Sequence, residues 1–283
     1  MRFEKWQALG NDYIVVEAAA LPFELTPERI ERICRPHFGV GSDGILLLEP
    51  VEDPGHVAAL RIFNPDGSEA ELSGNGAREA VLYLRTAGWT TDDTFSVLTK
   101  AGPVMPRIVD ANTVAMEIGR ARTQSPEYPA GATDGRGTLE SAGRQWAFRH
   151  VNVGNPQCVI AIDGEEELES LDLGAVGPAI EGNTDLFPNR TNVSFTHAIG
   201  SAVRARIYER GVGETLSSGT GASGAAVAAF LNGAESPITV RLDGGELVVE
   251  ITAELDMTLT GTAERVYAGE LSGELVRALD QLG

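Results

Sequence analysis

Lysine, cysteine and histidine are all scarce in this chain, and each shortage removes a class of function. Only Lys5 and Lys100 stand beside twenty arginines, and the 283 residues carry a formal net charge of −19. A binder of phosphate backbones needs a basic footprint, so nucleic acid is not expected as a partner. The acidic excess reads instead as a well-solvated surface. Two cysteines, Cys34 and Cys158, cannot make a disulfide framework and point to a reducing cytoplasm. The four histidines (His37, His56, His150, His197) lack metal-ligand spacing, so no metal is expected. The longest apolar run, Ala225 to Leu231, is far too short to cross a bilayer. The opening MRFEKWQALGND has no apolar core of a secretion signal. What is present is ordinary globular composition, 42% hydrophobic and 22% charged, with length enough for two domains or one large one.

The chain resembles itself at a nearly fixed offset. Gly10-Asn11 opens G-N-D-Y-I-V-V, and Gly154-Asn155 opens G-N-P-Q-C-V-I, an offset of 144. Arg61-Ile62-Phe63-Asn64 matches Arg206-Ile207-Tyr208-Glu209 at 145, and Ser73-Gly74-Asn75-Gly76-Ala77 matches Ser218-Gly219-Thr220-Gly221-Ala222 at the same offset. Three matches in one order imply two similar domains related by a pseudo-twofold axis.

Strand-like runs recur at Tyr13–Glu17, Ile45–Leu48, Ala59–Phe63, Val114–Ile118, Ala202–Tyr208, Ile238–Leu242, Glu246–Ile251 and Met257–Thr260. In Ala202–Tyr208, Val203, Ala205 and Ile207 alternate with Arg204, Arg206 and Tyr208, which predicts a half-buried strand. Thr26-Pro27 reads as an N-cap with proline at N1, opening a helix to about Arg35. Each Ser-Gly-x-Gly run follows a strand and opens a helix. The first such helix stops near Gly88; the second is apolar on every face and is predicted to sit inside a curled sheet. Gly, Pro, Ser and Thr cluster at 118–135, either a domain boundary or a long exposed loop. The expected domains are residues 1–118, with about 263–283 returning to them, and residues 119–262.

A helix N-terminus presents unpaired N–H groups and partial positive charge, and glycines let a ligand come close. Two such starts facing one cleft would hold a carboxylate and stabilise charge developing on its α-carbon. Ser73 and Ser218 would then flank that carbon, one removing a proton and the other delivering one. Serine is also a favoured N-cap, and that plainer role competes at both positions. Asn11, Asn155 and Asn64 beside Pro65-Asp66-Gly67 equally suit turns, and Glu209-Arg210 suits a surface pair.

The blocks ALGNDYIVVE, HFGVGSDGILLLEP, RIFNPDGSEAELSGNGAR, NVGNPQCVI, TNVSF and YERGVGETLSSGTGA resemble, in order, the signature of diaminopimelate epimerase. The resemblance implies an α/β (α+β) fold of two similar domains, each a curved, mostly antiparallel sheet around a central helix. It implies an isomerase that interconverts LL- and meso-2,6-diaminoheptanedioate between those domains, without pyridoxal phosphate, metal or other cofactor. It also implies substrate contacts at Asn11, Asn64, Gly74, Asn75, Asn155, Asn192, Glu209, Arg210, Gly219 and Thr220. An arginine forks onto a carboxylate there, and a glutamate accepts from an ammonium. The expected partner is a small amino acid, not a membrane, and a homodimer is compatible.

Three departures stand out. Ser73 and Ser218 occupy the places of the family's two acid/base cysteines, and Gln157 stands where the family usually has histidine. Glu69 and Glu214, four residues before each serine, are the candidate assisting bases; a turn or capping role is their plainer reading. The sequence leaves open a working epimerase, a dehydratase or proline-racemase-like relative, a non-catalytic binder, and a chain whose cysteines were deliberately changed.

Overall fold

Local chemistry sets the first helix. Thr26 accepts the Arg29 N–H on its hydroxyl, Pro27 occupies the first turn, and α1 runs Pro27–Cys34. The computed structural model describes residues 1–282. Its chain divides into two units, Met1–Met116 with the segment from Gly261 onward, and Glu117–Thr260.

The first unit contains β1 (Arg2–Ala8), β2 (Asn11–Glu17), α1, β3 (Ile45–Glu49), β4 (Ala58–Phe63), β5 (Glu69–Ala70), α2 (Gly74–Thr86), β6 (Val97–Thr99), β7 (Gly102–Val104) and β8 (Arg107–Ile108). The chain leaves it along β9 (Thr113–Arg120). The second unit adds β10 (Arg136–Ser141), β11 (Arg144–Asn152), β12 (Pro156–Ala161), α3 (Glu165–Ser170), α4 (Leu173–Glu181), β13 (Asn192–Ile199), β14 (Ala202–Glu209), β15 (Gly213–Thr215), α5 (Gly219–Phe230), β16 (Ile238–Leu242) and β17 (Gly245–Ile251). The chain returns along β18 (Asp256–Thr262) to β19 (Glu264–Glu270) and α6 (Gly273–Asp280).

One sheet is ordered β19-β1-β2-β3-β4-β6-β7 with β5 on β4; the other is ordered β10-β11-β12-β13-β14-β16-β17-β18-β9-β8 with β15 on β14. The duplication is visible in the pairing. β2–β3 and β4–β6 are parallel in the first sheet, as β12–β13 and β14–β16 are in the second, amid antiparallel neighbours. α2 packs on β1, β2, β3 and β19, while α5 touches strands from β11 through β17 and is buried from Gly221 to Ala228. An all-apolar helix needs that enclosure, and small side chains let the sheet close around it.

A second layer covers the outer face of each sheet. In the first unit, Ile30 and Ile33 of α1 and Leu279 of α6 pack on Ile14, Val16, Ile45 and Leu47. In the second, Leu168, Leu173, Val176 and Ile180 of α3 and α4 join Phe148, Ile160 and Phe195. This layer changes the reading of β14. Its polar face is not solvated: Arg204 is 9% exposed and paired with Glu169 and Asp243, and Arg206 donates to the carbonyls of Leu168, Glu169 and Leu171. Arginines on that face tie the outer helices to the sheet. The Gly- and Pro-rich residues 121–135 belong to the second unit, with Tyr128 inserted among Phe148 and Phe187 at ring separations of 5.5 and 5.4 Å. Phe187 is fully buried there, so Phe187→Ala is expected to cost about 3–5 kcal/mol. Urea unfolding measures it; a loss below about 1 kcal/mol would mean the cluster is not the unit's core.

Candidate active site

Each Ser-Gly-x-Gly run caps a helix and packs it. Ser73 Oγ accepts the Gly76 N–H at 3.1 Å, and Ser218 Oγ accepts the Gly221 N–H at 3.2 Å. The plain capping role is therefore real in both copies. The second glycine of each run is a packing requirement, since a Cβ would lie 2.9 Å from Leu46 at Gly76 and 2.6 Å from Ile207 at Gly221. The first is looser: a Cβ at Gly74 would meet nothing within 4 Å, and one at Gly219 would meet Leu259 at 3.3 Å. At Gly74 in particular, a ligand can reach the helix start.

In the first unit, Asn75 donates to Asn11 Oδ1 at 3.1 Å, and Asn11 donates to Asp43 at 2.9 Å. Arg78, fully buried one turn along α2, donates to Asn75 Oδ1 at 2.7 Å and sets which way that amide points. Gly10, at φ 84, closes the turn that starts β2 at Asn11. Ser73 is met by Tyr13, whose hydroxyl lies 3.3 Å from Oγ. Asn64 is held apart from this group, its amide donating to Ser68 at 2.9 Å in the turn after β4. Glu79 is buried on the same helix, and loss of solvent holds its carboxyl well above the usual carboxylate range.

The second unit brings its expected residues together. Gln157, fully buried, donates to Asn155 Oδ1 at 2.7 Å, and Asn155 donates to Thr220 at 3.3 Å. Asn192 faces Gln157 across β12–β13, donates to the Pro156 carbonyl at 3.1 Å and accepts the Arg210 N–H at 2.9 Å. The Arg210 guanidinium turns to the Asn189 carbonyl at 2.7 Å, not to Glu209. Glu209 receives Ser218 Oγ–H on Oε2 at 3.0 Å and Thr215 Oγ1–H on Oε1 at 2.8 Å. Burial raises the Glu209 pKa, and the two hydroxyls offset part of that rise. A carboxylate with a raised pKa is a better proton acceptor than an ordinary one.

Glu69 and Glu214 do not assist the serines. Glu69 lies across β4–β5 with both oxygens on Arg61 at 2.9 and 3.2 Å, and Glu214 is bound by Arg206 at 2.6 Å. The Arg61 contact lowers the Glu69 pKa, making it a weaker base. The duplicated arginine at the third residue before each Asn64 or Glu209 position explains why both glutamates are in register. Glu69→Gln and Glu214→Gln are thus expected to leave turnover within about threefold and to cost at most about 1 kcal/mol each. A hundredfold loss of turnover in either would reinstate them.

The chain's two thiols are poorly suited to proton transfer. Cys34 and Cys158 are buried in the outer cores, and desolvation pushes Cys34 up to about 12 and Cys158 higher still. Among the described residues, no three His, Cys, Asp or Glu side chains gather as a metal set, and no helix is long and apolar enough to cross a membrane. Tyr13, Arg78 and Thr215 were not legible as site residues. Their sequence context is an ordinary strand, helix and turn, and only folding brings their polar atoms to Ser73, Asn75 and Glu209.

The duplicated α/β fold is shared with solved proteins of low sequence identity. A hydroxyproline epimerase from Agrobacterium vitis, solved with bound trans-4-OH-L-proline, superposes with a TM-score of 0.62 at 16% identity, covering 95% of this chain and 91% of that one. A phenazine biosynthesis protein from Bacillus anthracis gives 0.67 at 16% identity over 96% and 99%. In sequence, the diaminopimelate epimerase family pattern matches residues 3–124 and 149–266. A diaminopimelate epimerase of Nostoc sp. is 41% identical with 97% of each chain covered, and one of Synechococcus sp. is 38% identical over 96% of this chain and 99% of its own. The chain is an isomerase and belongs to the diaminopimelate epimerase family.

Proposed function

We propose that the chain interconverts LL- and meso-2,6-diaminoheptanedioate in lysine and peptidoglycan precursor synthesis, in a reducing cytoplasm and without a cofactor. Ser73 and Ser218 are its two proton-transferring residues, each at a helix start. At each of these helix starts the N–H groups favour the negative charge that grows during proton removal. Asn11, Asn64, Asn75, Asn155, Asn192, Arg210 and Thr220 position the rest of the substrate. The observation that carries this reading is the Ser218–Glu209 hydrogen bond of 3.0 Å at a helix start. It gives the serine a neighbouring base that can take its proton as the oxygen takes the substrate's.

Incubation with LL-diaminopimelate in deuterated water tests it. Deuterium entering at the α-carbon together with formation of the meso isomer is the expected result. Loss of water or ammonia would make the chain a lyase, and calorimetric binding with no exchange would make it a binder.

A further inference from the structure

In the second unit, the sheet face that meets α5 is larger than the helix it encloses. On β12 the contact is close at Gln157, where a Cβ on Gly224 would lie 2.8 Å from the glutamine side chain. Val159 and Ala161 follow on the same face. Strand register carries that face from Val159 to Arg149 on β11, and from Arg149 to Arg136 on β10. α5 stops at Phe230, and Thr138, Ala147 and Ala161 of that face stay exposed. A cavity of about 1040 Å³ opens there, between these strands and the last turn of α5 at Ala228 and Ala229. Small-molecule sites commonly span about 300–1,000 Å³. Every residue that lines it belongs to the second unit. Ser218 caps the other end of α5, roughly 18 Å away along a helix of 12 residues.

One wall of this cavity carries a cation without an anion. Arg149 is 7% exposed. Its Nη1 and Nη2 donate to the Asp134 carbonyl and the Asn232 side-chain oxygen, both at 2.8 Å, and its Nε–H meets no acceptor. Among the described residues no carboxylate pairs with it; the Asp134 carboxylate is paired instead with Arg136 at 3.4 Å. Burial, and then the charge of Arg136, hold Arg149 below the ordinary guanidinium range, and Asp134 offsets part of that. The two neutral acceptors steady a turn and the end of α5, but they do not balance the charge. Buried charges are ordinarily paired, and a guanidinium has five N–H groups arranged to fork onto an oxyanion. Most of the remaining wall is hydrocarbon, from Ala147, Val159, Ala161, Val203 and Ala229. We propose that this cavity binds a small organic carboxylate, with its charge on Arg149 and its apolar body against β12, β14 and α5.

Hexanoate is the probe, titrated calorimetrically into the whole protein. Hexanamide keeps the chain without the charge, and acetate keeps the charge without the chain. Hexanoate is expected to bind once per chain with a Kd of about 1 mM or tighter, and about tenfold or more tighter than either control. Arg149→Gln is expected to bring hexanoate down to the level of hexanamide and to leave hexanamide unchanged. Ala161→Trp fills the cavity from an exposed position, so it is expected to abolish hexanoate binding in a folded protein. Should Arg149→Gln fail to fold, Ala161→Trp and the two controls on the wild type still decide the matter. Hexanoate that binds no tighter than hexanamide, that binds Ala161→Trp equally well, or that shows no saturable binding overturns the proposal. Turnover of diaminopimelate, or its absence, bears on the serines and leaves this test unaffected.

Discussion

Ser73→Cys together with Ser218→Cys raises the rate of inversion by about 10²–10⁴-fold over the serine protein. Acidity is the reason. A thiol loses its proton at about 8.5 and an alcohol near 15.7, a gap of roughly 7 units that corresponds to about 10 kcal/mol. A helix start supplies about 0.3–2 kcal/mol, so the positions of Ser73 and Ser218 at the tips of α2 and α5 cannot close that gap alone. Glu209 shares the proton of Ser218 and recovers part of it. Only part of the full difference reaches the rate, because the proton is in flight at the transition state. Each single variant gains less than the pair, since the remaining serine limits the other half of the transfer. Both serines keep a capping bond to a glycine N–H, which a thiol makes more weakly, so a small loss of stability is expected alongside the gain in rate. Initial rates by chiral separation measure the effect. A double variant no faster than the serine protein would show that these side chains do not carry the proton.

Glu209→Gln is expected to lower kcat by about 10²–10⁴-fold with little change in KM. The amide is nearly the same shape and keeps a carbonyl oxygen for Ser218 or Thr215, but cannot take a proton. The wild-type rate should fall as the solution is acidified through the raised Glu209 pKa, which lies above the ordinary carboxylate value of 4.5 because the side chain is desolvated. The variant should lose that acidic limb. Stability moves the other way. A carboxyl whose folded pKa is raised binds its proton more tightly in the folded chain. Its contribution to stability is full below the unfolded pKa and is lost as pH rises through the folded one. At neutral pH the glutamine carries no such penalty, so its melting temperature should match or exceed that of the wild type. A variant that keeps turnover would remove Glu209 from the chemistry; one that melts early would point to a structural role.

Much of the fold was readable where side-chain periodicity is strong. α1 follows from Thr26-Pro27, and β14 and β16 from alternation. The two central helices follow from glycine-rich starts after strands. The strands β1, β5, β6, β7, β8, β10, β11, β12, β13, β15 and β19 are not legible in that way. β12 and β13 lie between a central helix and an outer layer, so both faces are buried and the alternation that marks a strand is lost. In β11, Arg149 and His150 are buried too, and charged residues inside a strand obscure its period. At the site, the duplicated serines, asparagines and glycines could be read from the matched segments. The base could not. Glu69 and Glu214 share the serines' spacing, whereas Glu209 is nine residues before Ser218 and reaches it only because β14 runs back beside β15 to the start of α5.

The order of residues by itself determined that the chain is duplicated and that each copy opens a helix with a capped glycine-rich tip. Those properties are local or repeated, and neither depends on which distant atoms meet. Folding decided the chemistry around them. It gave Glu209 to Ser218 and Tyr13 to Ser73, withdrew Glu69 and Glu214 into arginine pairs, and sealed Cys34 and Cys158 in apolar cores where thiols stay protonated. Acidity and proton direction depend on contacts a few ångströms long and on burial, and only the packing of strands and helices sets those.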